Sequence, residues 1–166
     1  MNHNFEDLLK NKKNKKNKNK IKNNKLIFFL VILPYVTSTD MSVPSHQSLS
    51  KILQFSTSHI EKWMKMAKIQ KRGYQFKAMN WCLAKEHGVH TTFDENGNIV
   101  GSIVPTNKCG LVADEMGLGK TIVMLGTWVG NFKKNTLIVL PSALLHQWAK
   151  LIKKFLGFKP LVFHGS

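Results

Sequence analysis

The fold is decided by residues 114–121, Asp114-Glu115-Met116-Gly117-Leu118-Gly119-Lys120-Thr121. The apolar run at 109–113 before this stretch predicts a buried strand, and the apolar run at 122–129 after it predicts a helix. A strand, a glycine-bearing loop, Lys-Thr and a helix in this order are typical of a phosphate-binding loop. Backbone N–H groups at such a helix start converge on an anion, and glycines let the backbone curl round it. We therefore expect a nucleotide here, with Lys120 on its terminal phosphates and the Thr121 hydroxyl on Mg²⁺.

The net charge of +16 over 166 residues is spread unevenly. Residues 1–25 hold nine lysines against Glu6 and Asp7, which gives +7 there and leaves +9 for the rest of the chain. That surplus suits a polyanionic partner such as nucleic acid, although a solvated lysine-rich surface explains it equally well. Cys82 and Cys109 lie far apart in the sequence, which indicates reduced, buried thiols rather than a disulfide framework.

The N-terminal residues join a Lys/Asn run to an apolar block at 26–33. Together they imitate a secretory signal over residues 1–39, but the block is too short to span a bilayer and no small-residue cleavage site follows. We therefore disfavour export and expect no membrane partner. Residues 1–40 are predicted to be a disordered or spurious extension, with Met41 as an alternative start. The Ser-rich residues 41–57 are predicted to be a linker.

The predicted partial nucleotide-binding domain, residues 58–166, begins with short helices. Ser58 is expected to open the first of them, which ends near Gln70. Apolar periodicity predicts a second helix over 74–86, and a later helix that Ser142 caps. Between the second helix and the glycine-bearing loop, an Asn-Gly turn predicts a small hairpin.

Buried strands are predicted at 109–113, 136–140 and 161–163, with one helix between each strand and the next. The order β-loop-α-β-α-β implies an α/β fold with a parallel sheet and right-handed crossovers. Such a sheet places its ligand beyond the carboxyl end of a strand, which is where the phosphate loop lies. The predicted architecture is a partial P-loop lobe preceded by short helices and a disordered N-terminal tail.

Residues 114–121 resemble the nucleotide-binding motif of the Swi/Snf-type DNA-dependent ATPases, which are superfamily-two helicase-like proteins. The general phosphate-loop pattern has a glycine where Asp114 stands, but in this family an aspartate is usual there, so the departure becomes a match. Upstream, Arg72-Gly73-Tyr74-Gln75 resembles the glutamine motif that reads adenine. Downstream, Leu137-Ile138-Val139-Leu140-Pro141-Ser142 with Leu144-Leu145-x-Gln147-Trp148 resembles a motif that touches the DNA backbone. The resemblance implies the N-terminal part of a first RecA-like lobe, from about Arg72 to Gly165.

The resemblance also implies ATP and Mg²⁺ as cofactors, duplex DNA as a partner bound by its backbone, and a nuclear or other intracellular location. A glutamine amide matches an adenine edge because it offers both a donor and an acceptor, although Gln75 as an ordinary helix residue is the alternative. The residues expected at ATP are Arg72, Gln75, Asp114, Glu115, Met116, Gly117, Leu118, Gly119, Lys120 and Thr121. The residues expected at the DNA backbone are Pro141, Ser142, Gln147 and Trp148.

No aspartate or glutamate follows Glu115 in the sequence. Phosphoryl transfer needs a carboxylate that holds Mg²⁺ and a group that orients the attacking water. In the resembled family both groups come from an Asp-Glu motif beyond the third strand, and a second lobe supplies arginines that complete the site. We therefore expect an ATP-binding fragment of a chromatin-remodelling type of translocase that does not hydrolyse ATP alone. Either the sequence is truncated, split or decayed, or the product works with the remainder of the motor as a separate chain. Whether the chain is an enzyme stays open, and the alternative is a non-catalytic remnant that binds nucleic acid or a partner.

Overall fold

The structure, a computed structural model, describes most of the chain from Pro44 onward: residues 44–115, 117–133 and 136–164. The predictions for 1–40, Met41, Met116 and Gly165 lie outside these residues. The described residues belong to two compact units, one ending at Asn131 and the other beginning at Phe132. None of the described helices combines the length and apolarity needed to cross a lipid bilayer.

The first helix of the first unit is α1 (His46–Ala67). Ser45 caps it, because the Ser45 hydroxyl accepts the backbone N–H of Ser48 at 3.2 Å. The linker predicted over 41–57 is therefore wrong from His46 onward, and so is the predicted helix start near Ser58. The buried stripe has helical spacing throughout: Leu49, Leu53, Ser56, Ile60, Trp63 and Met64.

The balance of energies explains the longer α1. Leu49 and Leu53 are 0% and 4% exposed, and burying each side chain is worth about 1.5–3 kcal/mol. Ser48, Ser50 and Ser56, the serines in this part of the helix, cost roughly half a kcal/mol each in helix propensity. Apolar burial therefore outweighs the serine composition on which the linker prediction relied.

Two further helices complete the core of the first unit. The helix α2 (Gly73–Glu86) confirms the prediction over 74–86, and α3 (Lys120–Gly130) includes the predicted helix at 122–129. Each of these helices packs against the other and against α1. The core side chains that they bury are Phe76, Met79, Leu83, Ala84, Val123, Leu125 and Val129.

A small hairpin connects α2 to the glycine-bearing loop, as predicted. Its strands, β1 (Val89–His90) and β2 (Val104–Pro105), pair antiparallel, and Phe93 bridges to Ile99 closer to the turn. At the turn, Asp94 accepts hydrogen bonds from the side-chain amide and the backbone N–H of Asn98, and these bonds hold the pKa of Asp94 below its ordinary value. The hairpin is therefore closed by side-chain bonds as well as by its short ladder.

In the second unit the helix is α4 (Ser142–Leu156). Pro141 occupies the N-cap position and Ser142 is the first helical residue, so the prediction that Ser142 caps this helix is wrong by one position. Gly157 ends the helix in a left-handed conformation with φ = 85°. The apolar face of α4 packs against the chain on either side of it, with Ile138, Ile152 and Pro160 buried.

The predicted parallel sheet is not formed by the described residues. Within them, 109–113, 136–140 and 161–163 have no strand assignment, and the strands present are the two-residue pair β1 and β2. A strand is defined by the hydrogen-bonded ladder to a neighbour, and an apolar run without that neighbour stays irregular. The described residues form four helices and a two-stranded antiparallel sheet. The parallel order remains a prediction.

Candidate nucleotide-binding site

Two glycines of the loop at 114–121 allow its backbone to turn tightly. Gly117 and Gly119 both have positive φ, at 88° and 82°, in the left-handed region that glycine adopts without strain. Gly119 is the N-cap of α3, and its carbonyl accepts the N–H groups of Ile122 and Val123 at 2.8 and 3.2 Å. The loop thus ends on a helix N-terminus, where partial positive charge favours an anion.

The Lys120 side chain folds back over this loop. Its Nζ donates to the carbonyl oxygens of Asp114 at 2.6 Å and of Glu115 at 2.8 Å. An ammonium has three donors, so these two bonds leave capacity for one more acceptor. The charge of Lys120 is therefore held at the loop by backbone carbonyl groups.

Much of the loop is open to solvent. Asp114, Glu115, Gly117 and Leu118 are exposed, while Lys120 and Thr121 are half-buried at the start of α3. A Cβ built on Gly117 would meet no atom within 4 Å, so that position borders open space. Accessible backbone amides, a lysine and a hydroxyl are the groups that a nucleoside triphosphate with its Mg²⁺ would need, and their arrangement fits it.

Gln75 supports the loop from beneath. It is 5% exposed, and its Nε2 donates to the carbonyl oxygen of Leu118 at 3.0 Å. A Cβ on Gly119 would lie 2.5 Å from the same nitrogen, so the amide occupies the space that a larger residue would need. The structure thus brings together two predicted site elements that are 43 positions apart in the sequence. Contact of Gln75 with adenine stays a prediction.

The other predicted residue of this motif, Arg72, lies at the N-cap of α2. Its guanidinium donates to the hydroxyl oxygen of Tyr74 at 3.1 Å, and both side chains are exposed. This pair is therefore accessible to a ligand, whereas Gln75 in the next position is buried in contact with the loop.

The two thiols differ, which corrects the prediction that both are buried. Cys82 is buried on α2, but Cys109 is exposed in the segment before the loop. Burial raises the pKa of Cys82 to about 11; a hydrogen bond with Thr127 opposes this shift, and the charges of Glu86 and Asp114 add to it. Cys82 is a neutral core thiol, and only Cys109 has the exposure that reactivity requires.

The residues predicted to touch DNA lie in the second unit. Pro141 and Ser142 are exposed at the N-terminus of α4, Gln147 is exposed on its surface, and Trp148 is half-buried. Trp148 lines an apolar groove together with Ile138, Leu140, Leu145, Ile152, Pro160 and Leu161. One part of the Trp148 side chain therefore packs in this groove and the other part is accessible, as is the helix N-terminus at Ser142.

Sequence reasoning missed Asn80, which is 1% exposed in the middle of α2. Its Nδ2 donates to the carbonyl oxygen of Gly97 at 3.0 Å, and its Oδ1 accepts the Thr57 hydroxyl at 3.4 Å. Asn80 therefore ties the hairpin turn to α1 and α2. The available signal was a polar residue directly beside the apolar stripe of Phe76, Met79 and Leu83.

Comparison with known proteins agrees with the loop geometry. Residues 74–166 match the family described as SNF2-related domain, and this match covers more than half of the chain. The chain belongs to the SNF2-related family. The resemblance to Swi/Snf-type helicase-like ATPases drawn from residues 114–121 is thereby confirmed.

The relatives are much longer proteins. The Helicase SWR1 of Saccharomyces cerevisiae is 37% identical over 101 residues, which is 57% of this chain and 6% of that protein. The Chromatin-remodeling ATPase INO80 of Lodderomyces elongisporus is 33% identical over 109 residues, 61% of this chain and 6% of that protein. The DNA excision repair protein ERCC-6-like of Danio rerio is 38% identical over 64 residues, 36% of this chain and 4% of that protein. The chain thus spans a small part of the length of these relatives, and no solved structure matches it.

Proposed function

We propose that this SNF2-related chain binds ATP with Mg²⁺ at residues 114–121, as the nucleotide-binding portion of a DNA-dependent ATPase of the chromatin-remodelling type. The observation that carries the proposal is the position of Lys120, held by two loop carbonyls beside left-handed Gly117 and Gly119. The backbone amides of the loop would hold the β- and γ-phosphates, together with Lys120. The Thr121 hydroxyl would ligate the magnesium ion. Magnesium supplies charge neutralisation on the phosphates when it is bound.

The remaining site residues have supporting roles in this proposal. Gln75 would hold the loop through the Leu118 carbonyl and contact adenine with its remaining amide atoms, and exposed Arg72 would border the same ligand. Asp114 and Glu115 would fix Lys120 through their backbone carbonyls. Met116 and Leu118 would complete the loop backbone.

The proposed partner is duplex DNA, which the second unit would contact through its phosphates. Pro141 and Ser142 present the N-terminus of α4, and Gln147 and Trp148 follow along the same helix. These contacts would hold the DNA backbone without reading its sequence. In the complete lobe, 109–113, 136–140 and 161–163 would pair as parallel strands. A nuclear location follows from the proposed partner.

We further propose that these 166 residues, taken alone, bind ATP without turning it over. No carboxylate follows Glu115, and both Asp114 and Glu115 lie in the loop itself. The groups that position Mg²⁺ and the attacking water would come from the remainder of the motor, in the same protein or in a separate chain. The net charge of +16 also suits a second candidate function, a non-catalytic remnant that binds nucleic acid or a partner.

Titration of the chain with a fluorescent ATP analogue and Mg²⁺ tests the first proposal. Lys120→Ala removes a charge-assisted hydrogen bond worth about 1.5–3 kcal/mol, so we expect affinity to fall roughly 10- to 150-fold. Lys108→Ala, which removes an exposed lysine of the same unit, is the matched control and should leave affinity unchanged. Equal affinity of the Lys120→Ala and control variants would contradict nucleotide binding at the loop and favour the remnant. DNA-stimulated hydrolysis well above that of Lys120→Ala would contradict the proposal that the chain alone is inactive.

A further inference from the structure

The positive charge of the first unit is concentrated at α1 and the turn that follows it. Residues 46–72 contain six basic side chains and one acidic side chain, Glu61, which gives +5. Residues 73–131 contain four basic and five acidic side chains, which gives −1. Glu61 is itself paired with Lys71, at 2.5 Å between Oε1 and Nζ. The unit therefore has one strongly electropositive region, and the part that carries the nucleotide loop is nearly neutral.

Three of these lysines share one side of α1. At 100° per residue, Lys51, Lys62 and Lys65 fall within an arc of about 60°, opposite the buried stripe, and all three are exposed. With a rise of 1.5 Å per residue, Lys51 and Lys65 are separated by about 21 Å along the axis. Phe55 and Ser58 lie between them on the same side and are also exposed. We call these five residues the α1 basic face.

We propose that the α1 basic face docks on the phosphate backbone of duplex DNA. This rests on the proposed function in that the partner is DNA, but it assigns a contact surface outside residues 74–166, where the family match lies. Lysine is a compact point charge on a flexible stem, so a row of lysines contacts phosphates without reading bases. A helix of this length presents that row rigidly, because six of its residues are fixed in the core of the unit.

The shape of the face favours duplex over single-stranded nucleic acid or an acidic peptide. Proteins that bind single strands combine a groove with several aromatic side chains on which bases stack. Among the described residues of α1, Phe55 is the single exposed large hydrophobic side chain, 49% exposed. Its ring is engaged edge-on with His59 at 4.4 Å between centroids. A convex helix with one engaged aromatic ring offers neither a base-stacking groove nor a peptide pocket.

The docked DNA would be coupled to the nucleotide loop through packing within the unit. The buried side of α1 contacts α3, the helix that begins at Lys120 of the loop. The outer side of α1 is the side that carries the basic face. DNA bound there would be attached to the loop by one rigid helix, without covering the loop residues.

The test is DNA affinity as a function of salt, measured by fluorescence anisotropy with the full chain and a labelled duplex of about 30 base pairs. The test variant combines Lys51→Gln, Lys62→Gln and Lys65→Gln. The matched control removes the same charge from residues 73–131: Lys77→Gln, Lys85→Gln and Lys108→Gln. The Lys-rich residues 10–25 are identical in both variants, so their contribution cancels in the comparison.

We expect the test variant to lower the slope of log K against log salt by about 3, one unit for each lysine, and to weaken binding on the order of 100-fold near 0.1 M salt. The control should change the slope by less than about 1. Arginine at the three test positions should restore both slope and affinity. Equal slopes for test and control variants would overturn the proposal, as would tighter binding of a single-stranded oligonucleotide or RNA of equal length.

A nucleotide titration of the same variants separates this proposal from the proposed function. The test variant should bind the ATP analogue like the unmodified chain, because its three lysines lie outside the loop. If the test variant binds the nucleotide but has the same salt slope as the control variant, the α1 docking surface alone would be overturned. Absence of nucleotide binding in the unmodified chain would overturn the proposed function. The α1 docking surface would then still be decided by the difference in salt slope between the test and control variants.

Discussion

The helices α1 and α4 have similar amphipathic patterns but reach different degrees of burial. Of its 22 residues α1 buries six, whereas α4 buries only Ile152 of its 15. The reason is the neighbour that each helix finds: α1 packs on two other helices, while α4 faces two apolar segments that form no strands. Val139, Val162 and Phe163 of those segments remain 40–61% exposed. A helix that packs on neighbouring helices can bury its apolar face directly. A helix that flanks a sheet buries its apolar face only when the strands of that sheet are paired.

The largest expected effect breaks the core on the α1 side. Trp63 is 2% exposed, so Trp63→Ala should lower the free energy of unfolding by about 3–5 kcal/mol through lost burial and a residual cavity. Leu144→Ala is the matched change on α4, where the side chain is 38% exposed, and should cost less than about 1 kcal/mol. Urea unfolding followed by circular dichroism measures both. A large loss of unfolding free energy for Leu144→Ala would show that the apolar face of α4 is as well covered as that of α1.

The next largest effect concerns the two thiols: Cys82 is buried in the helical core, and Cys109 is exposed in a predicted strand. Because the pKa of Cys82 is raised from 9.0 to about 11, its neutral form stabilises the folded state fully below about pH 9. That contribution, on the order of 3 kcal/mol, should be lost as the pH rises from 9 towards 11, since only the unfolded thiol ionises readily there. Urea unfolding of the chain and of Cys82→Ala across this pH range isolates the thiol.

Alkylation provides an independent measurement of the same contrast. At pH 8 exposed Cys109 should react with iodoacetamide, and Cys82 should react only after unfolding. Equal reaction rates for the two thiols in the folded chain would contradict the burial of Cys82.

The smallest effect concerns the junction between the predicted strand and α3. Gly119→Ala and Gly117→Ala each force a positive φ on alanine, at a cost of about 1–2 kcal/mol. Only Gly119→Ala also brings a Cβ within 2.5 Å of Gln75 Nε2, so it should destabilise the chain and weaken ATP binding more than Gly117→Ala does. The difference should vanish in a Gln75→Ala background. If Gly119→Ala and Gly117→Ala still differ in the Gln75→Ala background, contact with the Gln75 side chain is not the cause of the difference.

Much of the site could be predicted because its signals are local. Lys120 and Thr121 follow two glycines, and the chemistry of a phosphate loop depends on neighbours along the chain. The helix at 74–86 was predicted for the same reason, since its apolar stripe is continuous. The boundary of α1 was missed because serines interrupt the apolar positions, and the burial that outweighs them depends on contacts with α2 and α3.

The sequence by itself determined the family of this chain, the glycine-bearing loop and the position of the helix after it, because these depend on residue order over short distances. Only the tertiary structure decided that Gln75 supports the Leu118 carbonyl, that Cys109 is exposed and that α1 turns its lysines outward. These features arise when segments distant in sequence compete for the same buried space. The burial of a residue cannot be predicted from its own position in the sequence, because it depends on the residues that pack around it.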